Sequence, residues 1–229
     1  MRIRIRFCVR IARLRQSLSV STSNATVRPP KQQRSRESYE RVLDAAHGLL
    51  EENGFEGFTV QEVAARAGVS VGAIYERFGN KETLLRTVHE RLMDRMAAFD
   101  SGEHLSPGEP ATAAEVIGVL VRRVAATMGT HRAVLRAFMH LGALDEVMSA
   151  RGSLESIELS RRFKAALRPF AAEFRVSDPE VALDVVFRLT YSTLARQVMY
   201  GSRFESDTEL GYEQLTDELV EVCAAYLLR

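Results

Sequence analysis

Two short helical patterns joined by three residues restrict the fold of this 229-residue chain more than any other feature. The first covers residues 59–67, where Thr59 and Glu62 have the spacing of a capping box. The connection is Gly68-Val69-Ser70, in which the glycine suits the left-handed end of one helix and the serine suits the N-cap of the next. The second pattern covers residues 71–78. This arrangement predicts a helix-turn-helix.

Helical periodicity continues on both sides of this motif. Before it, apolar residues recur at helical spacing from Tyr39 to Leu50, and Gly54 has the position of a C-terminal cap. After it, Asn80 is placed to cap a helix that reaches about residue 99. Beyond a Gly- and Pro-rich loop at 100–110, helices are predicted at about 112–128, 131–148, 152–169 and 178–200, and over a last segment with the apolar stripe Leu215, Leu219, Val222 and Tyr226. About nine helices and no strand indicate an all-α fold, with an N-terminal three-helix domain before a larger helical domain.

The second helix of the motif has dimensions that suit DNA. The major groove of B-DNA accepts one α-helix, and eight residues span about 12 Å, enough to reach a few base pairs. The small residues Gly72 and Ala73 allow a close approach of the backbone. Tyr75 offers a hydroxyl group to phosphate or a ring to a thymine methyl group, and Arg77 and Lys81 offer charge to phosphates. A helical hairpin without a binding role would explain the glycine turn alone, but not this set of side chains.

The stretch TVQEVAARAGVSVGAIYERFGNKETLL, from Thr59 to Leu85, resembles the signature of TetR-type (tetracycline-repressor) regulators. The shared features are the Thr N-cap, the Ala-Gly-Val-Ser turn, the tyrosine and the aromatic residue after it, and Asn-Lys-Glu at the start of the next helix. The resemblance implies a DNA-binding domain at residues 34–96 and a helical effector-binding and dimerisation domain at 97–229. Carried over by position, it implies contacts to phosphates, bases or the adjacent backbone from Thr59, Gln61, Ser70, Val71, Gly72, Ala73, Tyr75, Arg77 and Lys81.

The same resemblance implies partners and a mechanism. TetR-type proteins are homodimers through their last two long helices, so two recognition helices would lie about 34–36 Å apart and read a palindrome. The expected partners are double-stranded operator DNA and a small-molecule effector that releases it, with repression as the family default. An activator, or a DNA-binding protein without a ligand, would share the N-terminal half and differ in the use of the C-terminal half.

The effector pocket is expected among adaptable apolar and aromatic side chains of the C-terminal half, so the effector would be largely apolar. Ordinary core packing is the competing interpretation for each of them. The helix after the motif carries Leu84, Leu85, Met93 and Met96 and joins the two domains, which makes it the candidate moving element. The candidate pocket residues are Met128, Leu135, Phe138, Met139, His140, Phe163, Phe187, Arg188, Tyr191 and Met199.

Charge is distributed unevenly along the chain. Residues 1–36 contain ten basic and no acidic side chains, whereas the remainder has nine more acidic than basic ones. We hypothesise that this basic arm, residues 1–33, attracts DNA. A solvated disordered segment, an organellar transit peptide and a start site placed too far upstream are the alternatives. The arm matters because residues 31–96 hold ten basic and eleven acidic side chains, and Glu76 among them would repel phosphate or read a cytosine amino group.

Several functional classes lack sequence support. The chain has neither the glycine spacing of a P-loop nor a Gly-x-Ser-x-Gly motif nor paired carboxylates, so an enzyme is not predicted. Five histidines and two cysteines show no metal-ligand spacing, so we expect neither a metal nor a cofactor. Cys8 and Cys223 form no disulfide framework, which favours a reducing cytoplasm. No apolar run reaches about 18 residues, so no membrane-spanning helix is predicted.

Overall fold

A computed structural model describes residues 33–101 and 112–229, with the side chains of 98–101 left aside. The basic arm and the loop predicted at 100–110 lie almost entirely outside these ranges. Within them the chain is entirely helical apart from its connections, which confirms the predicted fold class. The helices are α1 (Gln33–Asn53), α2 (Val60–Ala67), α3 (Val71–Phe78), α4 (Lys81–Ser101), α5 (Ala113–Thr130), α6 (Arg132–Gly142), α7 (Glu146–Leu167), the 3-10 segment Arg168–Glu173, α8 (Pro179–Tyr200) and α9 (Tyr212–Leu228).

Local caps set the ends of the short N-terminal helices. Gly68 ends α2 with a φ of 65°, in the left-handed region that glycine adopts most easily. The Ser70 hydroxyl oxygen accepts a hydrogen bond from the Ala73 N–H at 3.1 Å and thereby starts α3. The predicted capping box of α2 forms by half. Thr59 accepts from the Glu62 N–H at 3.2 Å, whereas the Glu62 carboxylate accepts from the Thr59 hydroxyl group at 2.8 Å.

One helix boundary in the C-terminal half differs from the sequence-based prediction. The apolar pattern predicts one helix over 131–148 and another from about 152, but α6 ends at Gly142 and α7 begins at Glu146. The prediction was wrong because Asp145 interrupts the helix. Its carboxylate accepts hydrogen bonds at 2.9 and 3.1 Å from two backbone N–H groups in the first turn of α7.

Two prolines mark helix boundaries in the C-terminal half. α7 ends at Leu167, and Pro169 lies in the 3-10 segment that follows, because proline cannot continue the helical hydrogen-bond ladder. Asp178 caps α8 by accepting from the N–H groups of Glu180 and Val181, each at 3.1 Å. Pro179 occupies the first helical position, where its missing N–H costs no hydrogen bond.

Helix α4 connects the three-helix unit α1–α3 with the helices behind it. It packs against α1 on one side and α7 on the other, while α1 also contacts α6. Ion pairs join α4 to both neighbours. Arg91 of α4 lies 2.9 Å from Asp44 of α1, and Arg151 of α7 lies 2.9 Å from Glu90 and 3.0 Å from Asp94 of α4. Any rotation of α4 must therefore rearrange charged contacts on both sides.

Candidate nucleic-acid interface and effector cavity

Helix α3 presents small and polar side chains to solvent. Gly72 and Ala73 are exposed in its first turn, and Tyr75 retains 44% of its accessible surface. Ile74 and Phe78 point inward, and the Phe78 ring stacks on Tyr39 of α1 with 5.8 Å between centroids. The inner face therefore fixes the helix, and the outer face is open along its N-terminal half.

Gly72 is not required by the fold. A Cβ atom built at this position would lie 3.8 Å from the Ser70 Oγ atom, an ordinary van der Waals distance, with no closer neighbour in the described part of the chain. Its backbone is also outside the positive-φ region. Gly72 lies in the first turn of α3, where glycine still loses more backbone freedom on folding than alanine, so the residue has a cost here without a structural return.

Both predicted cationic contacts already have partners within the protein. The Arg77 guanidinium group donates to the Ser35 carbonyl oxygen at 3.1 Å and to the Ser35 hydroxyl oxygen at 2.8 Å. The Lys81 ammonium group donates to the Phe58 carbonyl oxygen at 2.8 Å and lies 4.9 Å from the centroid of the Phe55 ring. These bonds hold α3 against the start of α1, and α4 against the connection between α1 and α2. DNA contacts by these two side chains remain a prediction.

The other predicted contact residues differ in how available they are. Thr59 and Gln61 are exposed at the first turn of α2, whereas Val71 is half-buried against the core. Ser70 is exposed but already caps α3. Glu76 is exposed next to Tyr75, so the outer face of α3 carries a negative charge.

A cavity of about 370 Å³ lies between α4, α5, α6, α7 and α8. Among the described residues, this cavity agrees best with the predicted effector pocket, and α4 forms one of its walls. Five of the candidate residues line it: Met128, Leu135, Phe138, Met139 and Tyr191.

The remaining candidates lie elsewhere. Phe163 and Phe187 are buried in the core, with their rings edge to face at 5.5 Å. His140 is exposed on α6, and Arg188 is exposed on α8, where its Nε atom donates to Asp184 at 2.5 Å. Met199 is half-buried near the end of α8 and is not part of the described cavity wall. Helical periodicity identifies apolar faces, but it does not distinguish a cavity wall from a filled core.

His89, a buried polar residue of the cavity wall, was not predicted from the sequence. Its ring lies 5.0 Å from the Phe138 ring in an edge-to-face arrangement. Burial and, to a smaller degree, the charge of Arg151 lower the pKa of His89 to about 4, so the imidazole is neutral at physiological pH. His89 lies four residues from both Leu85 and Met93, so the inner stripe of α4 contained the signal.

A second groove of about 440 Å³ lies between the C-terminal part of α8 and the connection to α9. Its walls are mostly hydroxyl-bearing and charged residues, among them Arg196 and Glu205, which form an ion pair. None of its described walls belongs to α4, so it lacks a direct connection to the recognition helix. The cavity at α4 is accordingly the better candidate for an effector.

Comparison with known proteins also points to a bacterial regulator with a helix-turn-helix. Residues 42–88 match the family model for bacterial regulatory proteins of the tetR family. The chain is 32% identical to the fatty acid metabolism regulator protein of Bacillus subtilis, over 38% of this chain and 44% of that protein. It is 30% identical to the transcriptional repressor KstR of Mycolicibacterium smegmatis, over 51% of this chain and 63% of that protein. The chain thus spans about half the length of these curated relatives.

The helix-turn-helix region at residues 42–88 is therefore of the tetR type. Solved structures agree with this assignment at the level of the fold. The ketosteroid regulator KstR2 of Mycobacterium tuberculosis is 19% identical, with a TM-score of 0.57 over 88% of this chain and 100% of that chain. A protein from Saccharomonospora viridis, proposed to be a transcriptional regulator and crystallised with choline, is 19% identical, with a TM-score of 0.68 over 84% and 98%.

The last two helices of this chain expose apolar side chains, which together we call the α8–α9 face. On α8 these are Val181, Val185 and Leu189, each four residues from the next and 57%, 42% and 37% exposed. On α9 they are Val222 and Tyr226, 49% and 45% exposed. Three other apolar residues of these two helices are instead buried in the core, namely Val186, Leu194 and Leu219.

Among the described residues, no group of three or more His, Cys, Asp or Glu side chains is arranged to hold a metal ion. No helix in the described ranges combines the length and the apolar composition needed to cross a bilayer.

Proposed function

We propose that this chain is a dimeric transcriptional repressor of the TetR type that leaves a palindromic operator when a small molecule binds the α4 cavity. The observation that carries the proposal is the outer face of α3. Gly72 is exposed where the fold accepts a larger residue, and close approach of a DNA groove gives the missing reason for glycine. Tyr75 then lies next to the site of closest approach.

The N-terminus of α4 supplies part of the attraction for DNA phosphates that the side chains of α3 lack. The Asn80 carboxamide oxygen accepts from the Thr83 N–H at 2.7 Å and caps α4. The other N–H groups of a first helical turn have no partner within the helix. Such an N-terminus binds phosphate through its dipole and its unpaired donors. Because Arg77 is already bonded to Ser35, its role is more that of holding α3 in place than of binding phosphate.

Selection of random DNA duplexes by the purified protein, at two salt concentrations, tests the proposal. We expect enrichment of a palindrome with half-sites about 34–36 Å apart. The informative variant is Gly72→Leu, which should lose the enrichment while its thermal midpoint stays equal or rises, since leucine favours helix more than glycine does. Ala126→Leu, at an exposed position of α5, is the matched control. Selection of the same palindrome by Gly72→Leu would show that α3 does not enter the groove.

Dimerisation is part of the proposal, and the α8–α9 face supports it. Exposed apolar side chains on two neighbouring helices suit a self-complementary two-fold interface. Leu189→Asp should give a monomer in size-exclusion chromatography with light scattering, because the aspartate would be buried opposite apolar side chains. Leu154→Asp, at a 51% exposed position of α7, is the control and should leave the mass unchanged. A Leu189→Asp protein that stays dimeric would place the interface elsewhere.

The basic arm completes the proposed DNA contact. Each phosphate contact contributes about 0.9 to the slope of log affinity against log salt concentration. Deletion of residues 1–30 removes seven arginines and should flatten this slope as well as lower affinity. Unchanged affinity and slope would assign all phosphate contacts to the domain after the arm.

The cavity is the proposed effector site, with a largely apolar ligand. Its position supports a role in release, because α4 forms a cavity wall and continues from the helix-turn-helix. A ligand changes DNA affinity only if it binds one orientation of α4 better than another. A regulator of this kind acts where the DNA is, so we propose a cytoplasmic location.

A further inference from the structure

The cavity wall contains almost no net charge. None of the described residues that line it is a lysine or an arginine, and one, Glu155, is acidic. The two carboxylate oxygens of Glu155 accept hydrogen bonds from Arg151 at 3.0 Å and from Arg162 at 3.3 Å. Arg151 is shared in turn with Glu90 and Asp94 of α4. Arg151 and Arg162 are thus both paired with Glu155, although the Nε atom of Arg162 is buried without a hydrogen-bond partner among the described residues.

His89 does not supply a positive charge either. Burial lowers the pKa of its imidazole to about 4, and the nearby Arg151 charge acts in the same direction, with Asp145 opposing. The group is therefore a neutral donor and acceptor at physiological pH. Among the described residues of the wall, an anionic ligand would therefore meet no cationic side chain.

Methionine dominates the apolar part of the wall. Unbranched thioether side chains adapt to irregular ligand shapes and offer polarizable surface, so they suit an apolar ligand body without imposing one outline. They come from four different helices, α4 to α7, and surround the space together with Leu135 and Phe138. The five methionines are Met93, Met96, Met128, Met139 and Met148.

Hydroxyl groups occupy another part of the wall. The Ser156 hydroxyl group lies 3.0 Å from the Gly152 carbonyl oxygen and 2.8 Å from the Tyr191 hydroxyl group, and its single proton serves one of these two contacts at a time. When Ser156 donates to Gly152, Tyr191 donates to Ser156 and its oxygen can accept from a ligand; when Ser156 donates to Tyr191, the Tyr191 proton is available to a ligand. Burial raises the pKa of Tyr191, so the phenol remains protonated and able to donate.

We propose that the effector is an uncharged, mainly apolar molecule with a single hydroxyl or carbonyl group, which Tyr191, Ser156 and His89 bind by hydrogen bonds. The inference rests on the proposed function, in which the cavity is the effector site. A carboxylate head group would be buried beside Glu155 without a counter-ion, and an ammonium head group would have to displace guanidinium groups from Glu155. A neutral head group has neither penalty.

Three probes with the same alkyl chain test the head group directly: 1-decanol, decanoate and decylamine. The chain has no tryptophan, so isothermal titration calorimetry of the full-length protein at neutral pH, below micelle concentrations, is the suitable measurement. We expect 1-decanol to bind with an affinity about tenfold or more above that of either charged probe. Tighter binding of decanoate or decylamine would overturn the inference, and so would the absence of binding by all three.

A pair of tyrosine variants tests the position of the head group. Tyr191→Phe removes the proposed hydroxyl contact and should weaken 1-decanol binding about fivefold or more. Tyr212→Phe is the matched control, because its hydroxyl group donates to the Ala125 carbonyl oxygen outside the cavity wall. Equal affinities of the two variants would remove Tyr191 from the site. These titrations contain no DNA, so they test the ligand class alone. If 1-decanol bound the protein but did not release it from DNA in a separate experiment, the proposed function would be contradicted and the ligand class would stand.

Discussion

The three-helix unit α1–α3 and the helical body behind it are specified by different kinds of interaction. In the unit, two helices of eight residues each are fixed by neighbours in sequence, such as Gly68 and Ser70 in the turn. In the body, five long helices enclose a cavity whose walls come from distant parts of the chain. A recognition helix needs one geometry, whereas a ligand site gains from walls that can adapt. The comparison therefore distinguishes a three-helix unit with a filled core from a helical body that contains a cavity.

The largest expected difference between the two regions concerns packing. Phe78→Ala in the unit should lower the free energy of unfolding by about 3–5 kcal/mol, because the ring is buried and stacked on Tyr39. Met128→Ala in the cavity wall should cost about 2 kcal/mol or less, since the side chain already faces empty space on one side. Urea unfolding of both variants measures the difference. Equal losses would mean that the cavity wall is packed as tightly as the unit.

The same contrast explains what the sequence could predict. The N-caps at Thr59, Ser70 and Asp178 could be recognised in the sequence, because each side chain accepts a hydrogen bond from a backbone N–H only three residues ahead. Gly68 was readable because its backbone conformation is a property of that residue and its helix. Asp145 was missed as a cap because an apolar pattern continues across it, although the residue type is a common N-cap.

Non-local contacts account for the rest. The place of Arg77 on α3 predicts a DNA contact. Only the fold shows that its guanidinium group also donates hydrogen bonds to Ser35, which is far away in sequence. His89 and Phe163 illustrate the same difficulty in the body. Both lie on apolar helix faces, but one borders empty space and the other is enclosed by neighbouring helices. Which of these happens depends on how five helices pack together, and no local pattern encodes that.

The second prediction concerns the pH dependence of the free energy of unfolding, to which His89 in the helical body contributes. His89 has an ordinary pKa near 6.5 when unfolded and about 4 when folded, so the unfolded chain binds the proton more tightly. Stability should therefore fall as pH decreases from about 6.5 to about 4, by roughly 3 kcal/mol from this group. His89→Leu should flatten the slope in chemical denaturation at a series of pH values. Burial also lowers the pKa of His47 and of His131, so part of the slope should remain. An identical slope in the variant would mean that His89 is solvated.

A third prediction concerns the ion pairs between the two regions. Arg151 connects cavity residue Glu155 with Glu90 and Asp94 of α4, so it is placed to transmit a change at the cavity. Arg151→Met should leave DNA and effector binding measurable on their own but reduce their coupling, which is typically about 1–3 kcal/mol. Titration of operator DNA with and without 1-decanol gives the coupling. Arg161→Met, on the exposed side of α7, is the control, and equal coupling in both variants would exclude the Arg151 network from the mechanism.

The smallest expected effect lies in the reading unit itself, at Glu76. This carboxylate is exposed among the proposed DNA contacts, so it either repels phosphates or accepts a hydrogen bond from a cytosine amino group. Glu76→Gln removes the charge and nearly preserves the shape. If repulsion dominates, affinity for all duplexes should rise by about 1 kcal/mol or less, with the gain largest at low salt. If Glu76 reads a base, the variant should instead change the preference at one position of each half-site. Binding selections with both proteins distinguish the two, and Glu158→Gln on α7 controls for the change in net charge. An unchanged affinity and an unchanged base preference would place Glu76 away from the DNA and require a different docking of α3.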